Sequence, residues 1–262
     1  MLSGKVAVIY GGGGAVGTAV AETFAREGAS IYLTGRSQAK VDEVANRLNA
    51  AGGRVEAAQV DALDEDAVQS HLDMIVARTG KIDISFNAVG LRNTTLQGVP
   101  LLELDVKQFM APIASHVQSN FLTARVAGRF MVNQGFGVIM TVTSIPSRVA
   151  IPRMGGVAVA MAAEEALIRD LSAELGPFGV RVLALRPQGM TDSETMKEVH
   201  TLHADSYGIT REQFQQMIEQ RTHLKRSPKL HEMAEVAAFM ASDRASAMTG
   251  TIVNMSLGAI AD

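Results

Sequence analysis

Short apolar runs alternate along the chain with longer segments whose apolar positions recur at helical spacing, the pattern of repeated βαβ units. Seven runs read as strands: Lys5–Tyr10, Ser30–Thr34, Arg54–Val60, Asp83–Asn87, Gly137–Thr143, Val180–Leu185 and Thr251–Met255. Near-continuous apolar character implies strands buried on both faces, hence a parallel sheet between two helical layers. The clearest helix is Ser37–Ala50, with Ser37 as N-cap, Val41, Val44, Ala45 and Leu48 as one apolar stripe, and Gly52-Gly53 as the stop. The expected fold is a three-layer, doubly wound α/β sandwich with a seven-stranded parallel sheet, one domain over 1–262. No linker, repeat or low-complexity tract interrupts it. The stretch Pro187 to Arg211 reads as a long loop serving a site, within a substrate lid at about 187–230.

Composition narrows the function. A chain of 262 residues, 47% hydrophobic, can bury one large core. The net charge of -3 comes without a basic block, which argues against nucleic acid and membrane surfaces and for a small-molecule partner. With no Cys there is no disulfide, thiolate nucleophile or Cys-ligated zinc, in keeping with a reducing compartment. The first apolar run is too short to cross a membrane and lacks a cleavage pattern, so a cytoplasmic protein is expected.

The first strand leads into Tyr10-Gly11-Gly12-Gly13-Gly14-Ala15-Val16-Gly17 and then a helical stretch, Thr18 to Glu27, closed by Gly28. Glycines between strand and helix let the backbone approach a pyrophosphate, whose charge the free N–H groups and dipole of the helix start stabilise. Gly12, Gly14 and Gly17 satisfy G-x-G-x-x-G in this dinucleotide-binding, Rossmann context. An acidic residue about twenty positions on would hold the ribose 2′-hydroxyl of NAD. Here the second strand ends in Gly35-Arg36, a guanidinium suited to a 2′-phosphate, which favours NADP(H) over NAD(H).

The arrangement resembles the T-G-x-x-x-G-x-G of the short-chain dehydrogenase/reductase family, with Gly11 and Gly17 in register, Tyr10 in place of Thr and Ala15 in place of the middle glycine. The resemblance extends to Asp61-Ala62, Asn87-Ala88-Val89-Gly90, Asn120, Ser144, Pro187, Thr249-Gly250 and Gly258. It implies cofactor contacts from Gly11 to Gly17, Arg36, Asp61, Ala62, Asn87 to Gly90 and Pro187, and catalytic roles for Ser144 and Asn120. It also implies a homotetramer, or pairing with an active relative, through the helices holding Asn120 and Val157. In the family a Tyr donates a proton to the substrate oxygen, and a Lys four residues later lowers the Tyr pKa and holds the ribose. Counting forward from Ser144 and back from Glu165-Ala166-Leu167 puts these positions at Val157 and Met161. The longer Tyr-to-Lys spacing of enoyl-thioester reductases would put its Tyr at Met154 and again needs Lys at Met161.

Other side chains bear on the chemistry. Tyr207 can approach the site from the loop or simply pack beneath it. The resemblance implies that Arg92, Arg148 and Arg153 fall in segments bordering the pocket, where one can bind an anionic substrate or replace the Lys charge; the alternative is that they are solvated loop arginines. His116 stands one turn before Asn120 as a general acid or a structural histidine. His200, His203 and Asp205 form a weak metal pattern, set aside for want of a third convincing ligand, so no metal is expected. Met190, Met196 and Met217 hint at an apolar substrate. Three functions remain open: an NADP(H)-dependent oxidoreductase acting without Tyr and Lys on an activated C=C, C=N or carbonyl; a non-catalytic cofactor-binding protein or supporting subunit; and a non-redox enzyme on the same fold.

Overall fold

A computed structural model describes residues 1–91 and 93–261. Seven parallel strands form one sheet in the order β3-β2-β1-β4-β5-β6-β7. They are β1 Val6–Tyr10, β2 Ser30–Gly35, β3 Arg54–Gln59, β4 Ile84–Asn87, β5 Gly137–Val142, β6 Val180–Pro187 and β7 Ile252–Met255. All seven expected strands are present, each end lying within about two residues of its expected place. Strand order reverses between β1 and β4, and in open α/β sheets the crevice beyond the strand C-termini at that reversal takes ligands.

Alternation along β1 feeds two cores. Ala7 and Ile9 face a cluster with Val20 and Phe24 of α1 (Ala15–Arg26), the Val41 stripe of α2 (Gln38–Ala50) and Met233 and Ala237 of α9 (Leu230–Ala241). Val6, Val8 and Tyr10 face the other layer, with Leu72 of α3 (Glu65–Thr79), Val126 of α5 (Gln118–Gln134) and Ile168 of α6 (Val157–Leu175). Tyr10 is wholly buried there and its phenol has no hydrogen-bond partner. A short α4 (Val106–Pro112) runs through a π-type turn, Ile113–Val117, into α5. Among the described residues no helix is long and apolar enough to cross a membrane.

The stretch from Pro187 to Arg211 is not the long loop that the sequence pattern suggests. It contains α7, Glu194–Tyr207, followed after a brief turn by α8, Arg211–Gln220. Ser193 caps α7 by accepting from the Met196 N–H, and Gly208 ends it at φ 66°. The helical period is concealed because two positions of its buried stripe, Val199, His200, His203 and Ala204, are histidines. A count of aliphatic residues misses such a stripe.

Candidate active site

The glycine turn is dictated by close backbone approach. Gly11 has φ +73°, and a Cβ there would stand 2.5 Å from the Ala88 carbonyl oxygen. At Gly17 it would stand 2.5 Å from the Gly11 oxygen and 2.8 Å from the Gly12 Cα. The ends of β1 and β4 and the start of α1 therefore meet with no room for side chains. Gly14 is the N-cap of α1 and supplies no side-chain acceptor, so the amides of the first turn remain an anion cradle. Ala15 opens the helix and is half-buried.

At the far end of the crevice Arg36 is exposed just after β2, its carbonyl oxygen accepting from Gln59 Nε2 at 3.1 Å. Lys40, which the sequence reading passed over, lies beside the turn: a Cβ on Gly13 would come within 2.9 Å of the Lys40 Cβ. Its signal was position, in the first turn of α2, four residues past Arg36. Ser37 is indeed the N-cap of α2, although its hydroxyl makes no capping bond. Asp61 is exposed and accepts from the Leu63 N–H at 3.0 Å, while Ala62 is buried. Asn87 is buried, donating to Ser119 and Thr123 on α5 and accepting from the Val89 N–H, which fixes the Ala88-Val89-Gly90 turn at the end of β4.

The catalytic candidates surround the N-terminal half of α6. Ser144 follows β5 in extended conformation and opens the short turn Ile145–Ser147, which packs on α6. Pro187 ends β6. Val157, Met161 and Glu164 are buried, and their spacing puts them on one stripe of α6. Asn120 is also buried; its amide donates to the His116 carbonyl oxygen at 3.0 Å and to Glu164 Oε1. The π-type turn before α5 sets this geometry. A small cavity of about 10 Å³, roughly one water in size, is bordered by residues that include Asn87, Asn120, Thr123, Thr141 and Glu164.

Glu164 Oε2 has no partner. Burial pushes the Glu164 carboxyl up to about 8, the bond from Asn120 opposes the rise and the neighbouring Glu165 charge adds to it. His116 Nδ1 is 3.9 Å from Glu164 Oε1, and burial holds this imidazole down at about 4. At neutral pH the two are a carboxylic acid and a neutral imidazole, not an ion pair. The near-neutral acid that the sequence offered at His116 is thus displaced by desolvation, and the proton sits on Glu164.

A second buried cluster lies directly behind. Glu165 receives Arg186 Nε at 2.7 Å and Nη2 at 2.9 Å, with Ser147 Oγ at 2.5 Å and Thr143 Oγ1 at 3.2 Å. Burial pushes this carboxyl up, but the bonds from Arg186, Ser147 and Thr143 outweigh it and hold Glu165 below the usual carboxylate range. The cluster ties α6 to β6 and to both flanks of Ser144. Removing Arg186 would strand the buried Glu165 charge, at a cost of about 3–5 kcal/mol. The sequence signal for both clusters was a pair of consecutive acids inside an apolar helix and an Arg ending an apolar strand, since such groups need partners when buried.

The remaining candidates separate. Arg153 donates to the Ser206 carbonyl oxygen and lies 5.0 Å from the centroid of the Tyr207 ring, which in turn stacks on Phe214; both serve the end of α7. His200 and His203 pack on Phe214, and His203 Nε2 bonds Gln97 at 3.1 Å, whereas Asp205 is exposed. Arg148 is exposed, and Arg92 lies outside the described residues. The three methionines do not share one face: Met190 belongs to the core, Met196 abuts Gly189 and Met217 is exposed.

Because Glu164 is protonated in the folded chain and ionises near 4.5 when unfolded, folding stability falls as pH rises between those values and levels off above about 8. Glu164→Gln keeps the acceptor for Asn120 and removes the titration. Chemical denaturation from pH 5 to 9 should give a flatter profile for the variant, with stability at pH 8 higher than wild type by about 1 kcal/mol or more. Parallel profiles would contradict a protonated Glu164.

Comparison with known proteins bears on the family and the fold. The family profile described as Enoyl-(Acyl carrier protein) reductase matches residues 13–259. The 7alpha-hydroxysteroid dehydrogenase of Escherichia coli (strain K12) is 28% identical over 259 residues, 99% of this chain and 95% of that protein. An uncharacterized oxidoreductase of Thermotoga maritima is 30% identical, with 98% of each chain covered. Among solved structures, an NAD+-bound xylitol dehydrogenase superposes with a TM-score of 0.92 at 25% identity, over 98% of this chain and 99% of that one. A 7 alpha-hydroxysteroid dehydrogenase complexed with NADH and 7-oxo glycochenodeoxycholic acid superposes at 0.86 with 28% identity, over 98% and 94%. Sequence and fold together make this chain a member of the short-chain dehydrogenase/reductase family.

Proposed function

We propose that the chain is an NADP(H)-dependent oxidoreductase whose active site works without the Tyr–Lys pair, acting on a small molecule with an activated C=C, C=N or carbonyl group. The observation that carries this reading is the stripe of α6, where Val157 and Met161 are apolar and Glu164 is neutral, in a chain that keeps the close-packed glycine turn. When bound, the cofactor supplies hydride from its nicotinamide. The α1 amides from Ala15 to Gly17 suit its pyrophosphate, and Arg36 with Lys40 suits a 2′-phosphate. Asp61, Ala62, Asn87 to Gly90 and Pro187 are assigned to the remaining contacts by resemblance to the family.

Ser144 is the family-like group able to donate a hydrogen bond to a substrate oxygen. Val157 and Met161 cannot protonate an alkoxide, so general-acid catalysis worth typically 10²–10⁴-fold is absent for ordinary ketones. A substrate carbon made basic by hydride addition can take its proton from water, which favours conjugated or iminium substrates. The same apolar pair favours a second reading, a non-catalytic cofactor-binding subunit. NADPH oxidation across a panel of enones, imines and ketones separates the two.

The cofactor assignment is tested by titrating NADPH and NADH against wild type and Arg36→Ala. Wild type should prefer NADPH, and the variant should lose roughly tenfold or more of that affinity while NADH is unaffected, since a charge-assisted contact contributes about 1.5–3 kcal/mol. Equal NADPH affinity in both proteins would sink the Arg36 role. The α6 assignment is tested by Val157→Tyr and Met161→Lys, singly and together. Only the double variant should gain ketone reduction, because the phenol is useful only beside the ammonium. A folded, NADPH-binding double variant without any gain would show that these positions do not flank the substrate. We further propose a homotetramer. The exposed apolar side chains Val106, Met110, Phe121 and Val159 lie on α4, α5 and α6, and light scattering should return about four chain masses; a single chain mass at micromolar concentration would refute it.

A further inference from the structure

Between α7 and α8 is a recess of about 70 Å³ bordered by Thr191, Lys197, His200, Arg211 and Gln215. A water needs about 10–15 Å³ of such space, so the recess admits several waters or one small oxyanion. Each of the five side chains can donate a hydrogen bond, and no carboxylate borders it. His200 is 3% exposed and its Nε2 has no partner among the described residues, a costly state that a ligand in the recess would relieve.

Two further features point to an anion. Lys197 and Arg211 stand in the first turns of α7 and α8, where the helix dipoles disfavour positive charge and favour negative charge. Their present partners are local and solvated: Lys197 pairs with Glu194, 87% exposed, and Arg211 with Glu212, 73% exposed. Surface pairs of this kind contribute little and exchange readily. The nearby Glu219 is engaged by Gln215 and Ser227. The recess also adjoins the turn after β6, because a Cβ on Gly189 would lie 3.7 Å from His200 Nε2.

We propose that Lys197, Arg211, His200, Thr191 and Gln215 bind the carboxylate or phosphate of the substrate, so that the substrate is anionic and not wholly apolar. The assignment of that anion to a substrate rests on the oxidoreductase reading above; the anion site itself does not. Inorganic phosphate and acetate, each titrated at constant ionic strength, are the probes, read by the ring signals of 13C-labelled histidine with His200 assigned through His200→Gln. One of the two anions should shift the His200 signals saturably, and the anion that does so identifies the group. The affinity should fall tenfold or more in Arg211→Gln and in Lys197→Gln, and hold in Arg36→Ala. No saturable shift with either anion overturns the site, as does a shift that survives both recess variants. A response lost only in Arg36→Ala would put the anion at the cofactor crevice instead and also overturns it. NADPH affinity is measured on the same samples: a His200 response without NADPH binding leaves the anion site standing and removes the oxidoreductase reading.

Discussion

The cofactor reading of this molecule depends on how closely three backbone segments meet at the C-terminal end of β1. The Gly11 turn stands against the Ala88 carbonyl on one side and against Gly17 on the other, at separations that no side chain could occupy. α1 starts at that contact, next to the strand-order reversal, and α2, with Arg36 before it and Lys40 in its first turn, lies against the Gly13 side of the turn. A cradle of amides followed by two cations is suited to a pyrophosphate followed by a further phosphate. The bulk of the chain serves this arrangement by burying the sheet from both sides.

The other half of the crevice is governed by buried charge. Glu165 and Arg186 lock α6 to β6 and to the Ser144 turn, a bidentate pair whose carboxylate is also satisfied by two hydroxyls. One residue earlier Glu164 has a single donor, Asn120, and keeps its proton. Two adjacent carboxyls thus take opposite protonation states, Glu164 raised chiefly by burial and Glu165 held down by Arg186, Ser147 and Thr143. We assign the family's phenol and ammonium positions to Val157 and Met161, with the protonated Glu164 one turn further along α6.

The sheet was legible because parallel strands must be apolar on both faces, and the glycine turn because only glycine tolerates such approach. Less legible were features created by tertiary contact. The buried stripe of α7 includes His200 and His203, which no count of aliphatic residues registers. Lys40 acquires its place only when α2 packs on the Gly13 turn. The Glu165–Arg186 pair joins residues 21 apart in sequence, and nothing local in either segment names its partner. Burial lowers His116 and is the largest cause of the rise at Glu164, and neither sequence segment shows that depth by itself.

We propose that an NADP(H) crevice in this chain opens onto Val157 and Met161 in place of a proton-donating pair. A crystal structure of the complex with NADPH tests it most directly. It should show the pyrophosphate on the amides of Ala15 to Gly17, the 2′-phosphate between Arg36 and Lys40, and the nicotinamide ring against Val157 and Met161. A nicotinamide ring facing Tyr207 or any other ionisable donor, or a crevice that does not take NADPH at saturating concentration, would contradict it.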